Sequence, residues 1–138
     1  MQKIYFLCTG NSCRSQMAEG YAHALLPGDQ FEIKSAGIET HGLNLKSVTV
    51  MAEDGVDISQ QTSDLIDPDY FQEADLIITL CGDAKDKCPR VPSSATHWHW
   101  DLQDPAQAQG SEDEIMAAFR QTRDLVKEQV LALLPTAE

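Results

Sequence analysis

The chain has 138 residues, with 10 Lys and Arg against 22 Asp and Glu, for a formal net charge of −12. This length fits one domain over residues 1–138 with an ordinary buried core, and the charge disfavours nucleic acid and anionic membrane surfaces as partners. No run of about 18 apolar residues could span a bilayer, and Met1-Gln2-Lys3 leads directly into a strand instead of an apolar leader, which predicts a cytoplasmic protein.

In chain order, Lys3 to Leu7 is a short apolar run that reads as a buried strand, and Ser15 to about Leu26 reads as a helix. Met17, Ala18, Tyr21, Ala22 and Leu25 share one face of that helix, and Pro27-Gly28 stops it. Phe31 to Ala36 alternates with period two, as a strand should, and ends at Gly37. Asn44 is placed to cap a second helix, Leu45 to Glu53, closed by Gly55. Asp67-Pro68 begins a short helix, and Leu76 to Leu80 is the clearest central strand, delivering Cys81 at its carboxyl end. A polar stretch from Gly82 to Ser94 precedes a weaker strand near Thr96 to Trp100. Ser111 to Glu114 forms a capping box, after which Ile115, Phe119, Thr122, Val126, Val130 and Leu133 mark a long amphipathic helix. Strands alternating with helices predict a parallel α/β sheet covered on both faces, with ligands at the carboxyl ends of its strands.

One connection in this order carries chemistry. Cys8-Thr9-Gly10-Asn11-Ser12-Cys13-Arg14-Ser15 lies between the first strand and the first helix. Backbone N–H groups of such a loop and the positive end of the helix converge on one small volume suited to a tetrahedral oxyanion. The same field favours Cys8 as thiolate, the nucleophilic form, and Arg14 offers a planar fork to two oxyanion oxygens. Cys13 lies in the loop one residue before Arg14 and is assigned a packing role. In a chain without an export leader the four cysteines are expected to be reduced, so that any disulfide is transient. Their spacings, Cys8-x4-Cys13 and Cys81-x6-Cys88, do not match common zinc sites. His97 and His99 have no third ligand spaced to join them, and His23 and His41 receive no role.

With these residues in hand, the sequence resembles the thioredoxin-coupled arsenate reductases, a family built on the low-molecular-weight protein tyrosine phosphatase fold. The likeness rests on residues 8–20 and 35–42, Thr62 to Ile66, Thr79 to Cys81, Cys88-Pro89 and Asp104-Pro105. It implies a single-domain, four-stranded parallel sheet flanked by helices, with arsenate as substrate, arsenite as product and thioredoxin as reductant. It assigns Cys8 as nucleophile, Arg14 as the anion-binding arginine, Asp104 as general acid, and Cys81 and Cys88 as two further redox cysteines. Thr9, Gly10, Asn11, Ser12, Cys13, Arg14 and Ser15 would bind the oxyanion. Asn11, Glu19, Ser35 and Asp64 fall where some members bind a structural potassium ion, although a hydrogen-bonded network supporting the loop accounts for them equally well. No cofactor is otherwise required, and a monomer is expected.

Two thiols that become one disulfide supply the two electrons that arsenate must gain. Cys8 would attack arsenic, Asp104 would protonate the departing oxygen, and a Cys81-Cys88 disulfide would result. Two other readings stay open. A phosphatase would use the same loop, yet it needs no downstream thiol pair, and Gln16 stands where tyrosine phosphatases usually carry proline. An oxyanion or arsenite binder would need neither Asp104 nor an activated thiol. Asp104 before Pro105 also has the signature of a turn start.

Overall fold

The computed structural model describes residues 2–80, 91 and 94–133. Four strands are present among them: β1 (Gln2–Cys8), β2 (Phe31–Gly37), β3 (Leu76–Thr79) and β4 (Thr96–His99). Four helices accompany them: α1 (Arg14–Leu25), α2 (Leu45–Glu53), α3 (Pro68–Glu73) and α4 (Glu112–Leu131), with a short 3-10 turn at Pro105–Gln107. No helix among the described residues is long and apolar enough to cross a membrane.

The local reasons for these elements are the ones the sequence suggests. Asn44 Oδ1 accepts from the N–H groups of Lys46 and Ser47 and so caps α2, while Asp67 caps α3 by accepting from Asp69 N–H. Ser111 and Glu114 close a reciprocal capping box on α4. Two strand boundaries shorten by one residue: Leu80 and Trp100 lie outside β3 and β4, although each still donates a backbone hydrogen bond, to Leu7 O and to Thr79 O.

All strand pairs are parallel, in the order β2-β1-β3-β4. The chain therefore steps outward from β1 to β2, then crosses to the other side of β1 to lay down β3 and β4. Strand order reverses next to β1, and in open sheets of this kind the crevice beyond the carboxyl ends at the reversal is where ligands bind. Cys8, the last residue of β1, stands at that point.

Side chains of β1 alternate between two cores. Ile4, Phe6 and Cys8 pack with Met17, Tyr21, Met51, Phe119, Val126 and Val130 from α1, α2 and α4. On the opposite face Tyr5 and Leu7 join Ala36, Ile77, Tyr70 and Ala74, which α3 covers. The stripe expected of α4 holds at Phe119, Thr122, Val126 and Val130, whereas Ile115, Met116 and Leu133 are only partly buried against the core.

Candidate active site

β1 ends where the loop Thr9–Cys13 turns into α1, and the outer surface of that loop is fixed by donors from three other segments: α1, the connection between β2 and α2, and the stretch around Ser63. Thr9 O accepts from Glu39 N–H at 2.9 Å, and Gly10 O accepts from His41 N–H at 3.0 Å and from Ser63 Oγ at 3.2 Å. Asn11 O accepts from Gln16 Nε2 at 2.9 Å and Ser12 O from Asn44 N–H at 3.2 Å. In a trans peptide the carbonyl and the following N–H point in opposite directions. Four successive carbonyls held outward thus turn the N–H groups of Gly10, Asn11, Ser12 and Cys13 toward the inside of the loop, where the amino end of α1 also points. The result is a cradle whose geometry suits an oxyanion.

Asn11 takes a left-handed backbone conformation with φ of 46°, the only non-glycine residue with positive φ among those described. Asparagine tolerates this geometry better than most side chains, and its amide is fully engaged. Nδ2 donates to Ser15 Oγ at 2.8 Å and to Ser35 Oγ at 3.0 Å, while Oδ1 accepts from Asp64 N–H at 2.8 Å. Gly37, paired with Cys8 in the β1–β2 register, packs against the loop from the side. A Cβ there would sit 2.7 Å from Thr9 O and 2.8 Å from Asn11 N, so a larger residue would push the loop out of place.

The Cys8 thiol is buried at the floor of the cradle, 2.9 Å from Ser15 Oγ. Because Ser15 Oγ already accepts from Asn11 Nδ2, its own proton is available to the sulfur, which suits a thiolate. Arg14 is almost wholly buried; its Nη1 donates to Leu102 O at 3.0 Å and its Nη2 lies 3.8 Å from Asp104 Oδ2. Asp104 works with both carboxylate oxygens. Oδ1 caps the 3-10 turn by accepting from Ala106 N–H at 3.0 Å, so the turn-start signature is real, and Oδ2 faces the Arg14 guanidinium. Cys13 belongs to the core, and burial pushes its thiol up to about 11 from an ordinary 9.0, with the Ser47 and Ser12 hydroxyls pulling the other way. It remains a thiol at neutral pH. Cys81 and Cys88 lie outside the described residues.

The four residues of the suggested cation site do come together. Ser35 Oγ donates to Glu19 Oε1 and accepts from Asn11 Nδ2, and Asp64 reaches Asn11 through its backbone N–H. Glu19, Ser35 and Asp64 line a cavity of about 440 Å³ with Tyr5, Lys34 and Thr62. The hydrogen-bonded network expected as one alternative is therefore present, with an oxygen-lined cavity beside it. His97 Nε2 and His99 Nδ1 both meet Thr79 Oγ1, at 2.9 and 2.7 Å, and among the described residues no group of three His, Cys, Asp or Glu is placed to hold a metal.

Two site residues carried no assigned function in the sequence. Gln16 stood out only as a departure from proline, yet it is fully buried and its Nε2 reaches Asn11 O and Thr62 O, joining the loop to the segment that holds Asp64. His41 falls within the 35–42 stretch that carries the family likeness but received no role there, because its contact with Gly10 exists only in the fold.

The model of the low molecular weight phosphotyrosine protein phosphatase family matches residues 3–138. An arsenate reductase of Bacillus licheniformis is 56% identical over 135 residues, which cover 98% of this chain and 96% of that one. An arsenate reductase of Bacillus subtilis is 60% identical over 121 residues, 88% and 86% of the two chains. Among solved structures, an arsenate reductase in the phosphate binding state superimposes with a TM-score of 0.77 at 35% identity, covering 96% of each chain.

Proposed function

Because the chain belongs to the low molecular weight phosphotyrosine protein phosphatase family and groups with the arsenate reductases within it, we propose that it reduces arsenate to arsenite. The observation that carries this reading is the buried Cys8 thiol at the start of the loop that ends in Arg14, which is itself paired with Asp104, in a chain 56% identical to a named arsenate reductase.

Arsenate enters the cradle with its oxygens on the inward N–H groups and the Arg14 guanidinium. The Cys8 thiolate attacks arsenic, Asp104 delivers a proton to the departing oxygen, and water leaves as the sulfur–arsenic bond forms. Cys81 then attacks the sulfur of Cys8. The sulfur–arsenic bond breaks, its electron pair stays on arsenic, and arsenite departs as a Cys8-Cys81 disulfide forms. Cys88 attacks Cys81, releasing Cys8 as thiolate and leaving a Cys81-Cys88 disulfide. Thioredoxin restores both thiols, taking the oxidation onto its own pair. Atoms and electrons balance, since two thiols lose two electrons and arsenic gains two. Such a cycle belongs in the cytoplasm, where thiols are kept reduced.

The cavity beside the Asn11 network is lined by the carboxylates of Glu19 and Asp64 and the Ser35 hydroxyl, hard oxygen donors of the kind potassium takes, with the Lys34 ammonium also on its wall. A cation there would supply structural support to the network that holds Asn11, not chemistry on the substrate. The same cradle accepts phosphate, so slow hydrolysis of an aryl phosphate is expected as a side activity.

Arsenate-dependent NADPH consumption with thioredoxin and its reductase tests the reading. Serine in place of Cys8, Cys81 or Cys88 should each abolish turnover, and Asp104→Asn should lower kcat by about 10² to 10⁴. Full turnover in Cys81→Ser would end the relay, and no arsenate dependence in the unaltered protein would end the assignment.

A further inference from the structure

We propose that His41 is a positioning residue of the oxyanion cradle, pinning the Gly10–Asn11 peptide so that its N–H stays directed at the bound anion; this builds on the arsenate reading above. Three contacts carry the assignment. The backbone N–H of His41 donates to Gly10 O at 3.0 Å. Its imidazole lies on Gly10 so closely that a Cβ there would meet Nδ1 at 2.4 Å and Cγ at 2.7 Å. At the far side of the ring Nε2 sits 2.7 Å from Glu39 Oε2, and the backbone N–H of Glu39 holds Thr9 O, the carbonyl one residue earlier. The ring is clamped between a carboxylate and a bare Cα.

The glycine itself points to the same role. Gly10 is not among the residues with positive φ, so its backbone would accept an ordinary side chain, and what excludes one is the imidazole. A glycine followed by a turn residue flips its peptide cheaply, because no Cβ resists the rotation. A flip at Gly10–Asn11 would turn a carbonyl toward the substrate in place of an N–H. The braced ring supplies the steric wall that the missing Cβ does not. His41 is about half exposed and acts through the loop, not on arsenic.

The test separates this from the reductase reading by using inorganic phosphate. Reduced protein is alkylated with iodoacetamide at increasing phosphate concentrations, and protection of the Cys8 peptide is quantified by mass spectrometry, which needs no arsenate turnover. In His41→Ala, protection should require about five- to tenfold more phosphate, and the arsenate KM should rise in parallel while kcat stays within about twofold, the scale of one lost cradle interaction. His41→Gln, whose amide still reaches toward Glu39 and covers Gly10, should retain most of the binding. Gly10→Ala should weaken protection at least as much as His41→Ala, and the double variant should return to the His41→Ala level because the collision is gone. Unchanged phosphate protection in His41→Ala overturns the proposal, as does a Gly10→Ala defect equally severe with and without the imidazole. If the unaltered protein fails to turn over arsenate but phosphate protection still weakens in His41→Ala, the reductase reading falls and the His41 assignment stands.

Discussion

β1 and β4 are parts of one sheet with opposite surroundings. From Ile4 to Cys8 every residue of β1 is buried, with apolar side chains packed on both faces, whereas all four residues of β4 are exposed. Cys8, the proposed nucleophile, sits at the end of the first, and the segment bearing Asp104 follows the second. A thiol that must meet an oxyanion at fixed geometry gains from the strand with the least freedom. Asp104, the proposed proton donor, tolerates a looser anchor because Arg14 reaches across to Leu102 O and Asp104 and ties that segment to the loop. The centre of the sheet thus supplies precision, and the edge is held to it by a few polar stitches.

The largest effect expected from this contrast is on stability. Phe6 is fully buried and touches Trp100 with ring centroids 5.8 Å apart, so Phe6→Ala should cost about 3–5 kcal/mol. Trp98→Ala on the exposed strand should cost about 1 kcal/mol, since only part of its surface leaves water. Similar losses in urea titrations of the two variants would break the contrast. Next in size is Cys13, whose thiol is pushed up to about 11 by burial while the unfolded chain releases that proton near 9.0. Below pH 9 neither state titrates. As pH rises from 9 to 11 the unfolded state loses its proton first, so stability should fall by roughly 2 kcal/mol. Cys13→Ala should flatten that part of the pH–stability curve.

A smaller effect probes the stitch between centre and edge. Thr79 is buried and its hydroxyl serves both His97 and His99. Thr79→Val should cost about 1 kcal/mol, because the exposed imidazoles recover water when the hydroxyl goes. Faster amide hydrogen exchange should then appear in β4 and not in β1; an even acceleration across both would show that the edge is not separable. The smallest effect lies away from the sheet, where α4 clasps the end of α2. Hydrogen bonds from Arg120 hold Glu53 below the usual carboxylate range, and Lys127 does the same for Asp54. The stability they contribute is present above the unfolded carboxylate pKa of about 4 and is lost as pH falls below it. Glu53→Gln should shift the acid-unfolding midpoint slightly upward, and the shift should shrink in high salt.

Local signals in the sequence reach the fold well. The three helix caps at Asn44, Asp67 and Ser111 act through side chains on N–H groups two or three residues away, so both partners lie within one short window. The Cys8 to Ser15 loop was legible for the same reason. What local pattern cannot carry is the outer shell of that loop, whose donors come from residues 39, 41, 44 and 63, far along the chain. His41 is half exposed with polar neighbours and looks like any surface histidine until Gly10 is placed beneath it. The limited burial of Ile115 and Met116 has a similar origin. Helical periodicity assigns a face, but only the packing of α4 against α1 and α2 decides how far toward its amino end that face is covered.

Gly37 has a consequence for anyone redesigning this protein. The wall it forms is bare main chain pressed to within van der Waals reach of the loop, so a substitution library at this site has an alphabet of one letter. Attempts to recut the pocket for a bulkier anion would have to work from the Arg14 and Asp104 side, where side chains and not main chain form the boundary.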